Sequence, residues 1–187
     1  MRTNGPGQSA LLLLDVIGIL NTLKIRYAVV GAFADSFYGV IRASMDADAL
    51  ISLQGNQPGV EQLLTELKKR GFDIEHRKGD FHDPIASLIN VQDRFHNRVD
   101  LLMGIKGMGE DVFLRISHSK FTDTEICIVG IEDFIVMKVF AGGPRDLEDV
   151  RGVLKISFSK INLPLLKELA SRYGPDVSAK LKSALEG

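Results

Sequence analysis

Asp46 and Asp48 stand two residues apart at the start of an apolar stretch, Asp46 to Leu53, and a third carboxylate, Asp100, interrupts the apolar run Arg98-Val99-Asp100-Leu101-Leu102. Side chains alternate faces along a strand, so the first two acids point the same way. Held side by side they repel each other, and each resists desolvation; a divalent cation between them relieves both problems. Mg²⁺ suits such a pair because it takes oxygen ligands, keeps several waters and bridges to phosphate oxygens. If the strand bearing Asp100 pairs beside the strand bearing Asp46 and Asp48, all three acids converge. That set fits two-metal displacement at phosphorus, in which cations clamp the attacking and leaving oxygens. The plainer readings are a solvated strand end for Asp46 and Asp48 and an isolated acid for Asp100.

Gly31 offers a second component. It follows the β-type run Tyr27–Val30 in Val29-Val30-Gly31-Ala32-Phe33-Ala34. A glycine at a strand-to-helix corner lets the backbone approach a phosphate, with helix N-terminal N–H groups facing it.

The elements that must position these residues follow from periodicity. Ser9 as N-cap, with Leu12, Val16, Ile19, Leu20 and Leu23 behind it, predicts an amphipathic helix. A helix over Phe33 to Tyr38 and a connection from Gly39 to Ser44 lead into the strand Asp46 to Leu53. Gly55 and Pro58 punctuate the chain before a helix from Val60 to Arg70, which Gly71 ends as a C′ glycine. Phe72–His76, Ile85–Val91 and Arg98–Leu102 read as further strands. From Glu132 the period becomes helical: Ile135, Val136, Val139 and Phe140 fit one helix, and Leu147, Val150, Val153 and Leu154 a second. Two more follow, Leu163–Tyr173 and Pro175–Leu185, divided by Gly174-Pro175. The pattern predicts an α/β (α+β) core over residues 1–130, with a mixed sheet flanked by helices. A helical C-terminal part, 131–187, packs on it or belongs to the same domain.

Bulk properties exclude several classes. Hydrophobic residues make up 45% of the chain and charged residues 25%, the balance of a globular protein. The apolar run Leu11–Leu14 is cut by Asp15 and lacks a small-residue cleavage site. It is also far shorter than the ~20 apolar residues of a membrane span, so no membrane segment is expected. The lone Cys127 has no partner for an intrachain disulfide, which points to a reducing cytoplasm. A net charge of −1 argues against a broad grip on nucleic acid. Residues 151–187 nevertheless carry a local +4, leaving −5 on the rest.

In order and spacing, strand–Gly-small–helix, then Gly39-Val40-Ile41-Arg42-Ala43-Ser44, then Asp46-Ala47-Asp48, then hydrophobic-Asp100-hydrophobic resembles the DNA polymerase β-type nucleotidyltransferase superfamily. The nearest look is to its small prokaryotic AbiEii-like abortive-infection or toxin members. The resemblance runs from about Tyr27 to Leu154 and includes a segment, Glu132 to Ala141, similar to the family's Lys-bearing helix. It implies the nucleotidyltransferase fold and Mg²⁺-dependent transfer of a nucleoside monophosphate from an NTP to a hydroxyl on tRNA, protein or a small molecule, with a cognate antitoxin as a possible partner. It further implies that Asp46 and Asp48 bind metal and that Asp100 completes the site and helps deprotonate the acceptor. Gly31 and Ala32 would hold the triphosphate and Lys138 would contact its phosphates, while Asp149 or Asp146 would steady that lysine or the sugar. Ala32 stands where the family has Gly or Ser. It keeps the small size but lacks a hydroxyl, so a noncatalytic binding module of the same fold is the alternative.

Several residues keep two readings. Lys138 on an apolar helix either snorkels to solvent or acts as a point charge beside phosphate. Arg42 pairs with Asp46 or phosphate, or is an ordinary surface arginine. Asp146 and Asp149 share a helix face and, on the plainer reading, pair with Arg145 or Arg151. Gly104-Ile105-Lys106-Gly107-Met108-Gly109 has the order G-x-x-G-x-G rather than the dinucleotide fingerprint, so a loop at the rim of the site is expected. The four histidines lack metal-ligand spacing, and Cys127 reads as core filler.

Overall fold

The computed structural model describes residues 1–53 and 59–186; Gly55 and Pro58 lie outside them. The N-terminal half runs α1 (Ser9–Thr22), β1 (Tyr27–Val30), α2 (Gly31–Phe37), β2 (Asp46–Ile51), α3 (Val60–Lys69), β3 (Asp73–Lys78), β4 (Ile85–Gln92) and β5 (Arg98–Ile105). After a 3-10 turn at Glu110–Leu114 come β6 (Ser117–Phe121) and β7 (Thr124–Ile128). Four helices follow: α4 (Ile131–Ala141), α5 (Pro144–Ser157), α6 (Leu163–Arg172) and α7 (Pro175–Glu186).

The strands form one mixed sheet in the order β3-β4-β5-β2-β1-β7-β6. Its centre is the parallel pair β2–β5, with Asp48 opposite Asp100 in register. On the other side of β2, β1 runs antiparallel and sets Val30 opposite Asp48. The acids and the glycine corner thus belong to three adjacent strands. The expected mixed sheet flanked by helices, with a helical C-terminal part, is the observed architecture.

Three local expectations are corrected. α1 is not amphipathic in use: Leu12, Leu13, Leu14, Val16, Ile17, Ile19 and Leu20 are all buried, so it fills the core on nearly every side. Each such aliphatic side chain contributes roughly 1.5–3 kcal/mol of burial. Ser9 is not the N-cap either. Gln8 occupies that position, and the Ser9 hydroxyl donates to the Met45 carbonyl (2.7 Å) and accepts from the Arg98 amide (3.0 Å). Two backbone groups at the starts of β2 and β5 take the hydroxyl, which ties together the strands carrying the acids. Finally, the β6–β7 hairpin was not anticipated. Its Thr122-Asp123 turn, with Thr122 at φ 55, lacks the Asn-Gly or Asp-Gly signature of a two-residue hairpin loop.

A single apolar cluster runs from α1 through the sheet to α4, α5, α6 and α7, with Phe134, Ile135, Val139, Val150, Val153, Leu166 and Leu169 on the helical side. The left-handed Gly142 caps α4, and Pro144 opens α5, so the chain turns back at once and α5 packs on α4. No helix among the described residues is long and apolar enough to cross a membrane.

Candidate active site

Asp46, Asp48 and Asp100 each present a ligand atom within 4.8 Å of the others, the one such group of potential metal ligands among the described residues. The β2–β5 register does this: Asp46 and Asp48 share a face, and Asp100 lies beside Asp48 on the neighbouring strand. Burial, reinforced by the charges of Asp46 and Asp100, pushes the Asp48 carboxyl up from its ordinary value to about 7, against the opposing pull of Lys138 and Arg98. Carboxylates this close without a cation favour a shared proton. Hard oxygen donors converging in this way match the ligand chemistry of Mg²⁺.

Each acid has a protein partner as well. The Ser44 hydroxyl donates to Asp46 Oδ1 at 2.5 Å. Asp100 is buried; it accepts from Asn90 Nδ2 (2.6 Å) and Arg98 Nε (3.0 Å) at Oδ1 and from Arg98 Nη2 (2.6 Å) at Oδ2. A carboxylate has about four lone-pair sites, so these three bonds leave one direction open. Arg98 remains half-exposed, so the pair faces solvent on the arginine side and is not sealed in the core.

Gly31 begins α2 at φ +63, a left-handed backbone that disfavours any side chain. A Cβ at this position would lie 2.2 Å from Asp48 Oδ2. The glycine therefore brings its backbone against a carboxylate of the acidic set. Ala32 follows, buried within α2.

Lys138 does not snorkel. It is 5% exposed, and its Nζ lies 2.7 Å from Asp149, 3.0 Å from Asp146 and 3.5 Å from Asp35. Burial opposes its charge, but the Asp149 hydrogen bond, Asp35 and Asp146 outweigh it and hold the ammonium above its ordinary pKa. Arg42 pairs neither with Asp46 nor as a free surface arginine: its Nε meets Asp35 at 3.0 Å and Asp149 at 3.7 Å. Asp146 and Asp149 accordingly face Lys138, and Arg145 and Arg151 take no part in these pairs.

Asp35 was not singled out from the sequence. It is fully buried on α2, its Oδ1 has no hydrogen-bond partner, and burial raises its pKa despite Lys138 and Arg42. Its place four residues after Gly31, on the same helix face, was the available signal. Asn90 was missed because its role depends on pairing across strands, where it stands opposite Asp100. Arg98 and Ser44 each lie two residues from the acid they bond, and that spacing was the available signal.

The two groups meet in a cleft of about 300 Å³. Gly31, Asp48, Arg42, Lys138 and Asp146 form its polar side, and Ile85, Leu102, Ile105, Met137 and Phe140 its apolar side. From the G-x-x-G-x-G segment only Ile105 reaches it; Lys106 lies over the Phe81 ring instead, and Gly107 packs on Tyr173. Cys127 is half-buried on β7 with its thiol pKa raised by burial, which keeps it a thiol rather than a nucleophilic thiolate.

No family model matches this chain, and no curated protein does. Solved structures do. ANT(2″)-Ia, solved with adenylyl-2″-tobramycin, superposes over 92% of this chain and 96% of its own, at 12% identity and a TM-score of 0.57. A candidate nucleotidyltransferase from Thermotoga maritima matches over 81% of this chain and 96% of its own, at 14% identity and 0.56. The lincosamide antibiotic adenylyltransferase LnuA, solved with lincomycin, matches over 83% and 100%, at 12% identity and 0.53. The fold is that of a nucleotidyltransferase. At these identities the likeness establishes architecture, and the chemistry must be argued from the residues of this nucleotidyltransferase-fold chain itself.

Proposed function

We propose that this protein transfers a nucleoside monophosphate from a Mg²⁺-bound NTP to a hydroxyl acceptor. The observation that supports it is the set of three carboxylates within 4.8 Å, on paired strands beside a left-handed glycine corner. Asp46, Asp48 and Asp100 would hold one or two Mg²⁺ ions, whose contribution when bound is to offset charge on the phosphate oxygens around the reacting phosphorus. The absence of a side chain at Gly31 leaves room for a phosphate against the backbone. Lys138 and Arg42 line the same cleft, where both are paired with the carboxylates Asp35, Asp146 and Asp149. On this reading they serve the pyrophosphate end of the NTP as N–H donors of that ion-pair cluster, not as free positive charge. In the reaction the acceptor oxygen bonds to the α-phosphorus as the bond to the bridging oxygen breaks. Pyrophosphate carries off that electron pair, and the hydroxyl proton passes to a carboxylate of the set, Asp100 on the sequence resemblance.

Titration calorimetry with Mg²⁺ and a nonhydrolysable NTP analogue tests the donor half: absent binding, or binding unchanged by Asp46→Ala, removes the reading. Incubation with α-labelled NTPs and cell extract tests transfer, with Asp48→Asn as the dead control. A narrower form, an abortive-infection toxin acting on RNA and restrained by an antitoxin, rests on the sequence resemblance and on the +4 balance of residues 151–187. It requires growth arrest on expression, relieved by Asp48→Ala. The clamp of Arg98 on Asp100 and the hydroxyl-free Ala32 favour a second reading, a noncatalytic binding module, which a labelled acceptor would remove.

A further inference from the structure

A second groove, of about 390 Å³, is lined by Ala32, Phe33, Ser36 and Phe37 of α2 and shares Arg42 with the cleft that holds Gly31 and Lys138. Its walls are Phe33, Phe37 and Phe121, with Lys120, Arg42 and Ser44 at its polar positions. Phe33 and Phe121 meet edge to face at 5.3 Å, in direct contact, and together form one aromatic wall. Ile126 and Ile128 form a buried apolar floor. The adjoining connection between α2 and β2 exposes Ile41 (89%) and Met45 (81%), an unusual amount of apolar surface for a short loop. Ser44 also bonds Asp46, so this groove reaches the carboxylate set.

Of the two cations that line the groove, Arg42 is held by Asp35 and Asp149, which leaves the exposed Lys120 as the charge open to a ligand at the mouth. Glu125, across the hairpin from Lys120, is turned to His118 at 3.0 Å. A polycationic ligand would meet the Lys120 ammonium at the mouth, whereas a ring-bearing anion would find apolar and aromatic walls with that ammonium beside them.

Resting on the proposed transfer reaction, we infer that this groove is the acceptor site and that the acceptor is a small hydroxyl compound carrying an aromatic ring and a negative charge, not a polycation. The ring lies among Phe33, Phe37 and Phe121, the anionic group meets Lys120, and the hydroxyl points past Ser44 toward Asp46. That chemistry has two sources, a nucleoside monophosphate or an aromatic hydroxy acid.

The test titrates the full chain, with and without saturating Mg²⁺ and nonhydrolysable ATP, with AMP, with 4-hydroxyphenyllactate and with tobramycin. We expect at least one of the two anions to bind in the presence of the ATP analogue, and tobramycin not to. Lys120→Glu, on an exposed side chain that leaves the core intact, weakens the anion about tenfold, the scale of one charge-assisted contact, and leaves the analogue's affinity unchanged. Phe121→Ala acts in the same direction, and circular dichroism checks its folding. Failure of both anions to bind, preferred binding of tobramycin, or indifference to Lys120→Glu overturns the assignment. Anion binding that depends on Lys120 while the ATP analogue fails to bind keeps the groove's ligand class and removes the transfer reaction, so the two failures are distinguishable.

Discussion

Gly31 and Asp48 occupy space that only a glycine allows them to share: a Cβ on Gly31 would sit 2.2 Å from Asp48 Oδ2, on a backbone already at φ +63. The β1–β2 register fixes this approach by setting Val30 opposite Asp48. Gly31→Ala therefore has two effects, backbone strain of about 1–2 kcal/mol and displacement of the carboxylate. A misplacement of about 1 Å lowers turnover on the order of 100-fold. Chemical denaturation measures the first and label transfer from NTP the second. A variant with full activity would show that Asp48 need not hold its position.

Asp48 also makes metal-free stability depend on pH. Its folded carboxyl, near 7, binds a proton more tightly than the unfolded chain does, whose carboxylate titrates at 3.8. The stability it contributes is complete below about 4 and is lost as pH rises through about 7. The protein without Mg²⁺ should thus be less stable at pH 8 than at pH 5 by an amount on the order of 2 kcal/mol attributable to this group. Asp48→Asn should flatten that slope while abolishing transfer, and Mg²⁺ should recover stability at pH 8 in the wild type alone. Thermal melts across the pH range decide it.

Lys138 sits among Asp149, Asp146 and Asp35 in the interior between α2, α4 and α5. Removing the ammonium leaves buried carboxylates without compensation, so Lys138→Ala should lower stability by about 3–5 kcal/mol. The double variant Lys138→Met with Asp149→Leu should be less damaging than the single one, because it removes both sides of the closest pair. Urea titrations of the three proteins provide the comparison.

Arg98 holds Asp100 through two nitrogens. Its replacement by glutamine frees carboxylate lone pairs and makes the acidic set more negative. Arg98→Gln should bind Mg²⁺ several-fold more tightly than wild type, and its metal-free form should be less stable. Calorimetric titration of Mg²⁺ reads the affinity directly. Unchanged affinity would mean that the guanidinium does not compete with the cation.

The sequence showed much of this arrangement because strand alternation is a strict rule. Asp46 and Asp48 had to share a face, and a charge within Val99–Leu102 stands out against its apolar neighbours, so their convergence with Asp100 needed only the pairing of two strands. Helical periods after Glu132 were equally plain. What stayed hidden depends on three-dimensional neighbours. Lys138 on an apolar helix is compatible with solvent or with a buried cluster until α5 is folded back onto α4. Asp35 looks like any helical aspartate until the depth of α2 is known. The Ser117–Ile128 hairpin alternates polar and apolar residues around a turn with no recognisable loop chemistry. The leucines of α1 allow a one-sided or an all-round burial, and the choice rests on how many elements surround the helix.

Because β2 and β5 are not consecutive and pair in parallel, Asp48 meets Asp100 only when β5, which follows the β3–β4 excursion in the chain, docks beside β2. No contiguous fragment ending before β5 contains the complete set of acids. Cation uptake by a refolding chain is thus a clock for closure of the sheet's midline: it should lag early helix formation and appear together with protection of the β2 and β5 amides from hydrogen exchange.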